Sequence, residues 1–586
     1  MLQAERFQGV IDRGKLNLDR VQLGVICVGA FLLPIVVLWS TNDPVILPKL
    51  LAARLLILLL AGLFIARWFR GQVKVRRTPL DLPIAAYVAS AGVSTLFAAN
   101  GNLAVFGSYG RVEGLLTIAT YAALFWLSVQ SVSSPVQGRT VLRAILGGAF
   151  VVSVIAVLQA VAGGLTVGPT SSVAHASATF GNSNVLAAYL AMALPLGVNE
   201  YVRAGSTSDR ILAGNVVAVM AIALVLTFGR GGWGGGAVGI MIVIATARPS
   251  PRRVMVMAGA GAGLVTAILL ATAALGAGGV PIAQSATARL LSLLDPTAGT
   301  GAIRLHIWKD TLGMIASRPL VGYGPDNFGL VFPRFQTGSW SPLQIDESHS
   351  ELLQVVATQG FLGLAAFAWL CIAFARLWWS GRNETLASGV LGAGVAYLLT
   401  LLVNFSTVPA ALPFWIFLGA ASVILQSDAA PRPEPAQSHK RIGRPMQLAG
   451  GLVLLAVIAV GAIGMPYVAD SNLHDSMAAL AAGDRVDAAT FAADARVLQP
   501  QQEMYAVAAG NVAMADSDWT AAREAYMSAA NLGSFDASVF RQLAIADEHL
   551  GLQVEAVVAA ERSVELNRFD PRNLAFLKTV TSTSPG

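Results

Sequence analysis

Charge is what this sequence has least of. Asp, Glu, Lys and Arg make up 12% of its 586 residues, against about 25% in a soluble globular protein. With 55% hydrophobic residues and a mean hydropathy of +0.63, the composition excludes a soluble enzyme and describes an integral membrane protein. The formal net charge of +6 does not mark a nucleic-acid binder. Lys and Arg sit mainly in short connections between apolar segments, and no basic cluster is interleaved with aromatics. The two cysteines, Cys27 and Cys371, lie inside apolar runs without disulfide or metal spacing. There is no Asp-rich metal motif, and no Gly-Lys-Ser/Thr follows the glycines around Arg230, which excludes a nucleotide phosphate loop. No small-residue cleavage site follows the first apolar run, so no cleavable signal is expected after the polar stretch Met1 to Arg20.

What is present is a series of apolar stretches of about twenty residues, the length that crosses a bilayer. They fall at 21–39, 48–66, 80–98, 113–132, 141–163, 183–201, 210–228, 232–247, 254–276, 350–375, 387–404, 409–425 and 447–467. The expected fold is therefore all-α: a polytopic membrane bundle of about 12–13 spans. Gly234 to Gly239 and Gly259 to Gly263 supply small faces for close helix approach. With the N-terminus in the cytoplasm, the inner segments carry 22 Lys and Arg and the outer ones 8. By the positive-inside rule this assigns the sides. The expected order is a cytoplasmic N-terminus (1–20), a transmembrane domain (21–426), a Pro-rich cytoplasmic linker (427–446), a last span (447–467) and an extracytoplasmic domain (468–586).

One long outer segment, 277–349, interrupts the spans. It is far longer than a connection needs to be, and Ile303, Ile307, Trp308, Leu312 and Ile315 recur in it at helical spacing before Pro319. Ile303 to Ser317 is expected as an amphipathic helix on the membrane surface, roofing an active site. Beyond Tyr467 the chain becomes Ala-rich and periodic. Ala488, Ala522 and Ala556 are 34 apart, as are Gly483, Ser517 and Gly551, and Leu498, Leu532 and Leu566. That is the tetratricopeptide period, a helix pair that buries its face by stacking on the next. It predicts a soluble helical repeat domain able to hold a protein partner.

The expected topology sorts the ionisable groups. Arg111, Arg230, Arg304 and His349 all fall at outer span ends or in the outer loop. Arg54 lies deeper, where snorkelling suffices. Gly229, Gly231 and Gly232 flank Arg230, which reads as a place where a large anionic ligand approaches the backbone and meets a guanidinium fork. His349 opens a helix beside Asp346 and Glu347, which are expected to raise its basicity and orient one ring nitrogen, suiting it to take a proton from a hydroxyl. His306, one turn from Asp310, and His175 are its competitors. Gly322 to Gly329, which contains Asp326, reads as a turn after the surface helix.

At these residues the chain resembles a family. TFGRGGW, then RLHIWKDTLGMIASRPLVGYGPDNF, then ESHSELLQVVATQGFLG are similar to the O-antigen ligase and polymerase superfamily. SYGRVEGLLT and ATFGNSNVLAAYLAMALPL also resemble segments of its members. The resemblance covers about residues 20–425 and departs from the common pattern at Ser350, where relatives often have Asn. It implies a metal-independent, inverting membrane glycosyltransferase without cofactor, acting in a bacterial plasma membrane. The implied donor is a glycan on undecaprenyl pyrophosphate, and the acceptor is a glycan, lipid or protein. His349 is implied as the catalytic residue and Arg230 and Arg304 as the pyrophosphate-binding pair, with Arg111, His306 and Asp326 as further candidates. Ligation, polymerisation of repeat units and protein glycosylation are alternatives within this class. A lipid-linked glycan flippase is the alternative of another class, but it needs more charge within the spans.

Overall fold

The computed structural model describes residues 17–162, 176–259, 300–341, 344–426 and 445–582, with isolated helical positions up to 266. The N-terminal segment, His175, most of the expected span at 254–276, the start of the long loop and the Pro-rich linker lie outside the described residues. Every described regular element is helical.

The first nine helices are α1 (Leu18–Leu32), α2 (Ile46–Phe69), α3 (Asp81–Leu96), α4 (Gly101–Phe106), α5 (Leu115–Ser131), α6 (Pro135–Ala162), α7 (Ser183–Arg203), α8 (Thr207–Leu226) and α9 (Arg230–Ala247). After α10 (Thr300–Ser317) come α11 (Glu351–Ser380), α12 (Ala387–Leu401), α13 (Val408–Leu425), α14 (Pro445–Ala459) and α15 (Met465–Ala482). Seven described helices are long and apolar enough to cross a membrane, and α5 and α12 are shorter apolar helices. The protein is a polytopic helical membrane protein.

Not all of its apolar surface faces lipid. Helices α7 and α13 are buried along almost their whole length, and α7 packs against α9 and α12. Small residues allow this. A Cβ on Gly239 would sit 2.6 Å from Pro195 of α7 and 2.7 Å from the Gly392 carbonyl of α12. Without side chains there, backbones come close and dispersion contacts replace a hydrophobic driving force that lipid does not supply.

Helix α11 is broken once, at Gly360, whose φ of 68° lies in the left-handed region. The chain after α10 threads through the break. The Tyr323 and Gly324 amides donate to the Ala357 and Thr358 carbonyls at 3.1 and 2.8 Å, and the Phe361 and Leu362 amides donate to Pro319 and Leu320 at 2.7 and 3.3 Å. The groups a helix break orphans are thus re-paired by an inserted strand of backbone. The Gly322 segment is therefore more than a turn after a surface helix: it fills a gap in a spanning helix.

Helix α10 spans Thr300–Ser317, enclosing the expected Ile303 to Ser317. Its buried side is Ile307, Met314 and Ile315, while Leu305 and Leu312 are 50% and 57% exposed. Leu312, expected on the packed stripe, lies on the opposite side. The helix carries apolar groups on two faces, one of which packs against the protein.

At the C-terminal end, α14 passes through a π-turn, Val460–Gly464, directly into α15. The last span and the first helix beyond it are one continuous rod. Six helices follow: α16 (Arg485–Leu498), α17 (Glu503–Ala515), α18 (Trp519–Leu532), α19 (Ala537–His549), α20 (Gln553–Leu566) and α21 (Pro571–Ser582), each packed on its neighbours in order. Equivalent positions 34 residues apart share an environment: Ala488, Ala522 and Ala556 are all 0% exposed. Gly483, Ser517 and Gly551 all have positive φ, ending their helices with the left-handed cap that closes a helix hairpin.

Candidate functional site

The site is built where three loops meet at one end of the bundle. The first is 107–114, GSYGRVEG, which joins α4 to α5. It is drawn tight by two glycines: a Cβ on Gly107 would lie 2.6 Å from the Val112 backbone, and one on Gly114 would lie 2.5 Å from the Gly107 nitrogen. This presents Arg111 to the second loop, around Asp326, and the third, at 346–349. The Arg111 Nε donates to Asp326 at 3.0 Å, Nη1 pairs with Glu347 and lies 3.6 Å from Asp346, and the guanidinium rests 5.5 Å from the Phe405 ring. Asp326 also accepts from the Ser108 amide at 2.7 Å and hydroxyl at 3.0 Å.

Arg111 is buried among carboxylates, which hold its proton well above the ordinary arginine range against the cost of burial. Burial pushes the Glu347 carboxyl well up despite the adjacent guanidinium, and Asp326 in the same direction. One cation shared by these acids is a joint between loops. Its Nε and Nη1 are engaged by Asp326 and Glu347, so Arg111 and Asp326 hold the loops of the site together.

His349 stands just before α11. Its Nδ1 lies 3.4 Å from the Glu347 carboxylate, buried and without a hydrogen bond, while 31% of the side chain is exposed. The ring packs against Phe405 at 5.6 Å. Neighbouring serines fix the backbone here: the Ser348 amide donates to Gln354 at 2.9 Å and its hydroxyl to the Ser350 carbonyl at 2.7 Å. The expected rise in basicity is not found. Burial, then the cations Arg304 and Arg111, outweigh Asp346 and bring the imidazole down to about 4, so at neutral pH it is an uncharged acceptor. His349 has φ 52°, and Val112, Ala178, Phe228 and Asp326 share this left-handed geometry. Such strain costs on the order of 1–3 kcal/mol per residue and persists only where the surroundings enforce it. Of the seven described non-glycine residues with positive φ, Val112, Asp326 and His349 lie in the loops that build the site, and Phe228 lies two residues before Arg230.

Arg304 reaches this group from α10. One turn further along, Trp308 donates its indole N–H to the Ser348 carbonyl at 3.0 Å, docking α10 over the histidine. Arg230 is the first residue of α9, where unpaired amides and the helix dipole favour anions. The glycines flanking it face protein, contrary to the expectation of ligand approach. A Cβ on Gly229 or Gly232 would meet Ala187 at 2.8 and 2.6 Å, and one on Gly231 would meet Val403 at 2.7 Å. They seat the start of α9 against α7 and the end of α12. The connection 402–407 then ties this corner to the histidine: the Glu351 amide donates to Asn404 at 2.8 Å, and the Glu351 carboxylate accepts from the Ser406 amide at 2.7 Å.

His306 is set apart from this group. It is exposed and stacked on Trp340 at 5.7 Å. Asp310, its expected partner, is buried and accepts instead from Thr337 at 2.8 and 2.6 Å and Trp340 at 3.3 Å. This pair folds the loop. Among the described residues, no group of three His, Cys, Asp or Glu side chains has the arrangement of a metal site.

Two cavities meet at Arg111, Glu113, Phe405 and Ser406. One, of about 120 Å³, runs inward among Tyr87, Tyr121, Phe367, Phe374, Tyr397 and Trp415. The other, of about 370 Å³, mixes Asn42, Asp43, Asp346 and Glu347 with Val45, Ile46, Phe180 and Pro409 in its wall.

The C-terminal helices also reach the site, which sequence reasoning missed. Tyr109, two residues before Arg111, donates its hydroxyl to Asp470 of α15 at 2.7 Å and accepts from Asn42 at 2.8 Å. Its amide donates to Glu503 of α17 at 2.8 Å. Asp470 also accepts from the Asp43 amide at 3.0 Å. Further out, Asn102 donates to the carbonyls of Gln501 and Leu532 at 2.8 and 3.0 Å. The signal available was an aspartate closely following a span in an otherwise neutral stretch.

These features define a polytopic membrane protein with a polar, strained site at one end of its bundle, carrying a histidine and arginines. The profile of a protein family described as O-antigen ligase matches residues 216–368, about a quarter of the chain, and the matched stretch holds Arg230, Arg304, Asp326 and His349. No curated protein matches the chain. The match supports a membrane glycosyltransferase of the ligase or polymerase type, whose substrates are a lipid-linked glycan and an acceptor.

Proposed function

We propose that this protein transfers a glycan from an undecaprenyl-pyrophosphate donor to an acceptor hydroxyl, with inversion at the anomeric carbon. The observation that carries this reading is the neutral imidazole of His349 with the Arg304 charge beside it, in a matched segment that also holds Arg230 at a helix start. His349 takes the acceptor's hydroxyl proton. The freed oxygen attacks the anomeric carbon from the face opposite the phosphate, and undecaprenyl pyrophosphate departs with the electron pair of the broken bond. Arg230 and Arg304 offset the charge on the leaving group in a site of low dielectric. Asp346 favours the imidazolium that forms, while Arg111 and Asp326 hold the loops in register. The aromatic wall of the inner cavity suits the start of a prenyl chain, and the carboxylates and amides shared around Arg111 suit sugar hydroxyls.

The reading places the site and the C-terminal domain on the outer face of a bacterial plasma membrane, with the N-terminus in the cytoplasm. The domain is of the tetratricopeptide type, supported by the 34-residue recurrence of buried alanines. Arg230→Ala and Arg304→Ala each test the pyrophosphate role. Each is expected to lower transfer by at least about a hundredfold, since a charge-assisted contact to a desolvated anion is worth a few kcal/mol, with Lys substitutions recovering little. Transfer is expected to persist in EDTA. Wild-type rates in either alanine variant, or a strict need for divalent metal, contradict the reading.

A further inference from the structure

A third cavity, of about 580 Å³, lies on the other side of the 107–114 loop, between α2, α5 and the last span. Its walls include Leu50 and Ile57 of α2, Ala119 and Ala123 of α5, and Ile458 of α14. Leu116 and Ile458 in its wall are 44% and 42% exposed, so the groove opens sideways, on apolar side chains, toward the space that lipid occupies. An isolated charge belongs at such depth only with a partner or a function. Here it is Arg54, which donates from Nη1 to the Ala462 carbonyl at 3.1 Å. That carbonyl lies in the π-turn Val460–Gly464, a distortion frequent at functional sites. Among the described residues no ion pair to Arg54 is found, and the carboxylate in the same cavity wall, Asp43, accepts from the Val45, Ile46 and Leu47 amides.

The upper rim is different in character. It is formed by Asp43, Tyr109, Gly110, Gln501 and Gln502. The Gln502 Oε1 atom is buried and has no hydrogen-bond partner, an orphaned acceptor of the kind folded proteins rarely leave unfilled. Read from the open side to the rim, the groove offers apolar walls, a guanidinium, then the Asp43 carboxylate and the Gln501 and Gln502 side chains. That order matches a long-chain lipid whose phosphate carries a hydroxyl-rich head. Gly110 of the rim immediately precedes Arg111, so a head seated there adjoins the catalytic cavities from their far side.

We infer that this groove binds a second polyprenyl-phosphate-linked glycan, which serves as the acceptor, with its phosphate on Arg54 and its sugars on Gln501 and Gln502. This rests on the glycosyltransferase reading, which it deepens: it makes the acceptor a lipid-linked glycan and the reaction a polymerisation. The chain of the lipid leaves between α2 and the last span, and the sugars rise past Gly110 toward His349.

The test is photolabelling of the purified full chain in phosphatidylcholine nanodiscs with a diazirine-bearing undecaprenyl phosphate, read by peptide mass spectrometry. Labelling is expected in peptides covering 47–58, 116–123 and 458–466, undiminished in the Arg230→Ala/Arg304→Ala double variant. Arg54→Leu is expected to lower it at least about tenfold, the loss of one phosphate contact, and Arg54→Lys to restore part. Ala119→Trp, which fills the groove from an exposed wall position and leaves the Arg54 bond intact, is expected to do the same. Unchanged labelling in either Arg54→Leu or Ala119→Trp overturns the proposal. So does equal competition by phosphatidylglycerol, which makes the groove a general lipid slot, or by inorganic phosphate, which makes it a free-anion site. Labelling needs no turnover, so it separates the two readings. A labelled groove with transfer indifferent to Arg230, Arg304 and His349 removes the catalytic reading alone, and an unlabelled groove with transfer dependent on them removes the acceptor site alone.

Discussion

In the proposed reaction His349 is a base that is weak until its substrate arrives. Burial and two cations hold its imidazole at about 4, well below the usual value of about 6.5. The pyrophosphate of the proposed donor would bring negative charge beside Arg304 and cancel part of the field that opposes protonation. The pKa must then rise in the donor complex, so donor binding takes up protons, and affinity increases as pH falls from about 6.5 toward 4. Calorimetry of donor binding at pH 5.5 in buffers of differing ionisation enthalpy is expected to show fractional proton uptake that His349→Ala abolishes. Proton release, or uptake unchanged in the variant, contradicts this assignment of the cations. Sequence made the histidine and both arginines legible as candidates through their motifs. It did not reveal the sign of the pKa shift, because Asp346 and Glu347 are visible in the sequence whereas burial and Arg111, more than two hundred residues away in the chain, are not.

At the scale of elements, the break in α11 couples the surface helix to a spanning one. Gly360 carries a positive φ, and a Cβ there would collide with the Leu320 backbone. The reciprocal hydrogen bonds between 319–324 and 357–362 therefore depend on that single glycine. Gly360→Ala is expected to cost about 2–4 kcal/mol, combining left-handed strain with backbone displacement. It is read as a lower thermal midpoint in detergent, together with loss of transfer as α10 and Arg304 shift. An unchanged midpoint contradicts the threaded arrangement. The spans themselves were legible, because lipid demands long apolar helices with internally satisfied backbones. The break was not. A glycine in an apolar run reads as a packing position, as Gly239 is, and nothing local distinguishes the two.

Over the whole molecule, the helical C-terminal domain is seated on the loops that form the site. Tyr109 and Asp470 are 361 residues apart in sequence, and both they and Glu503 converge two residues from Arg111. The period of 34 predicted helix pairs beyond Tyr467, where the chain is helical, but the docking surface was not legible, since no periodicity encodes which loop a helix touches. Asp470→Asn and Glu503→Gln remove charged acceptors from this joint while leaving the catalytic groups in place. Each is expected to lower kcat about three- to tenfold with little change in donor KM, and Asp470→Glu to recover part of the loss. An effect confined to KM would instead assign the domain to substrate capture.

The central claim is that His349 moves the proton in a glycosyl transfer whose donor it does not need in order to bind. It is tested most directly by single-turnover transfer with purified full-length wild type and His349→Ala, given a defined undecaprenyl-pyrophosphate glycan and a saturating acceptor, with donor binding measured in parallel. The account predicts wild-type product with inverted anomeric configuration, and a variant that binds donor with near-normal affinity but transfers it at least about a thousandfold more slowly, the upper part of the usual range for a general base. Transfer by His349→Ala at the wild-type rate, or retention of configuration in the wild-type product, would contradict it.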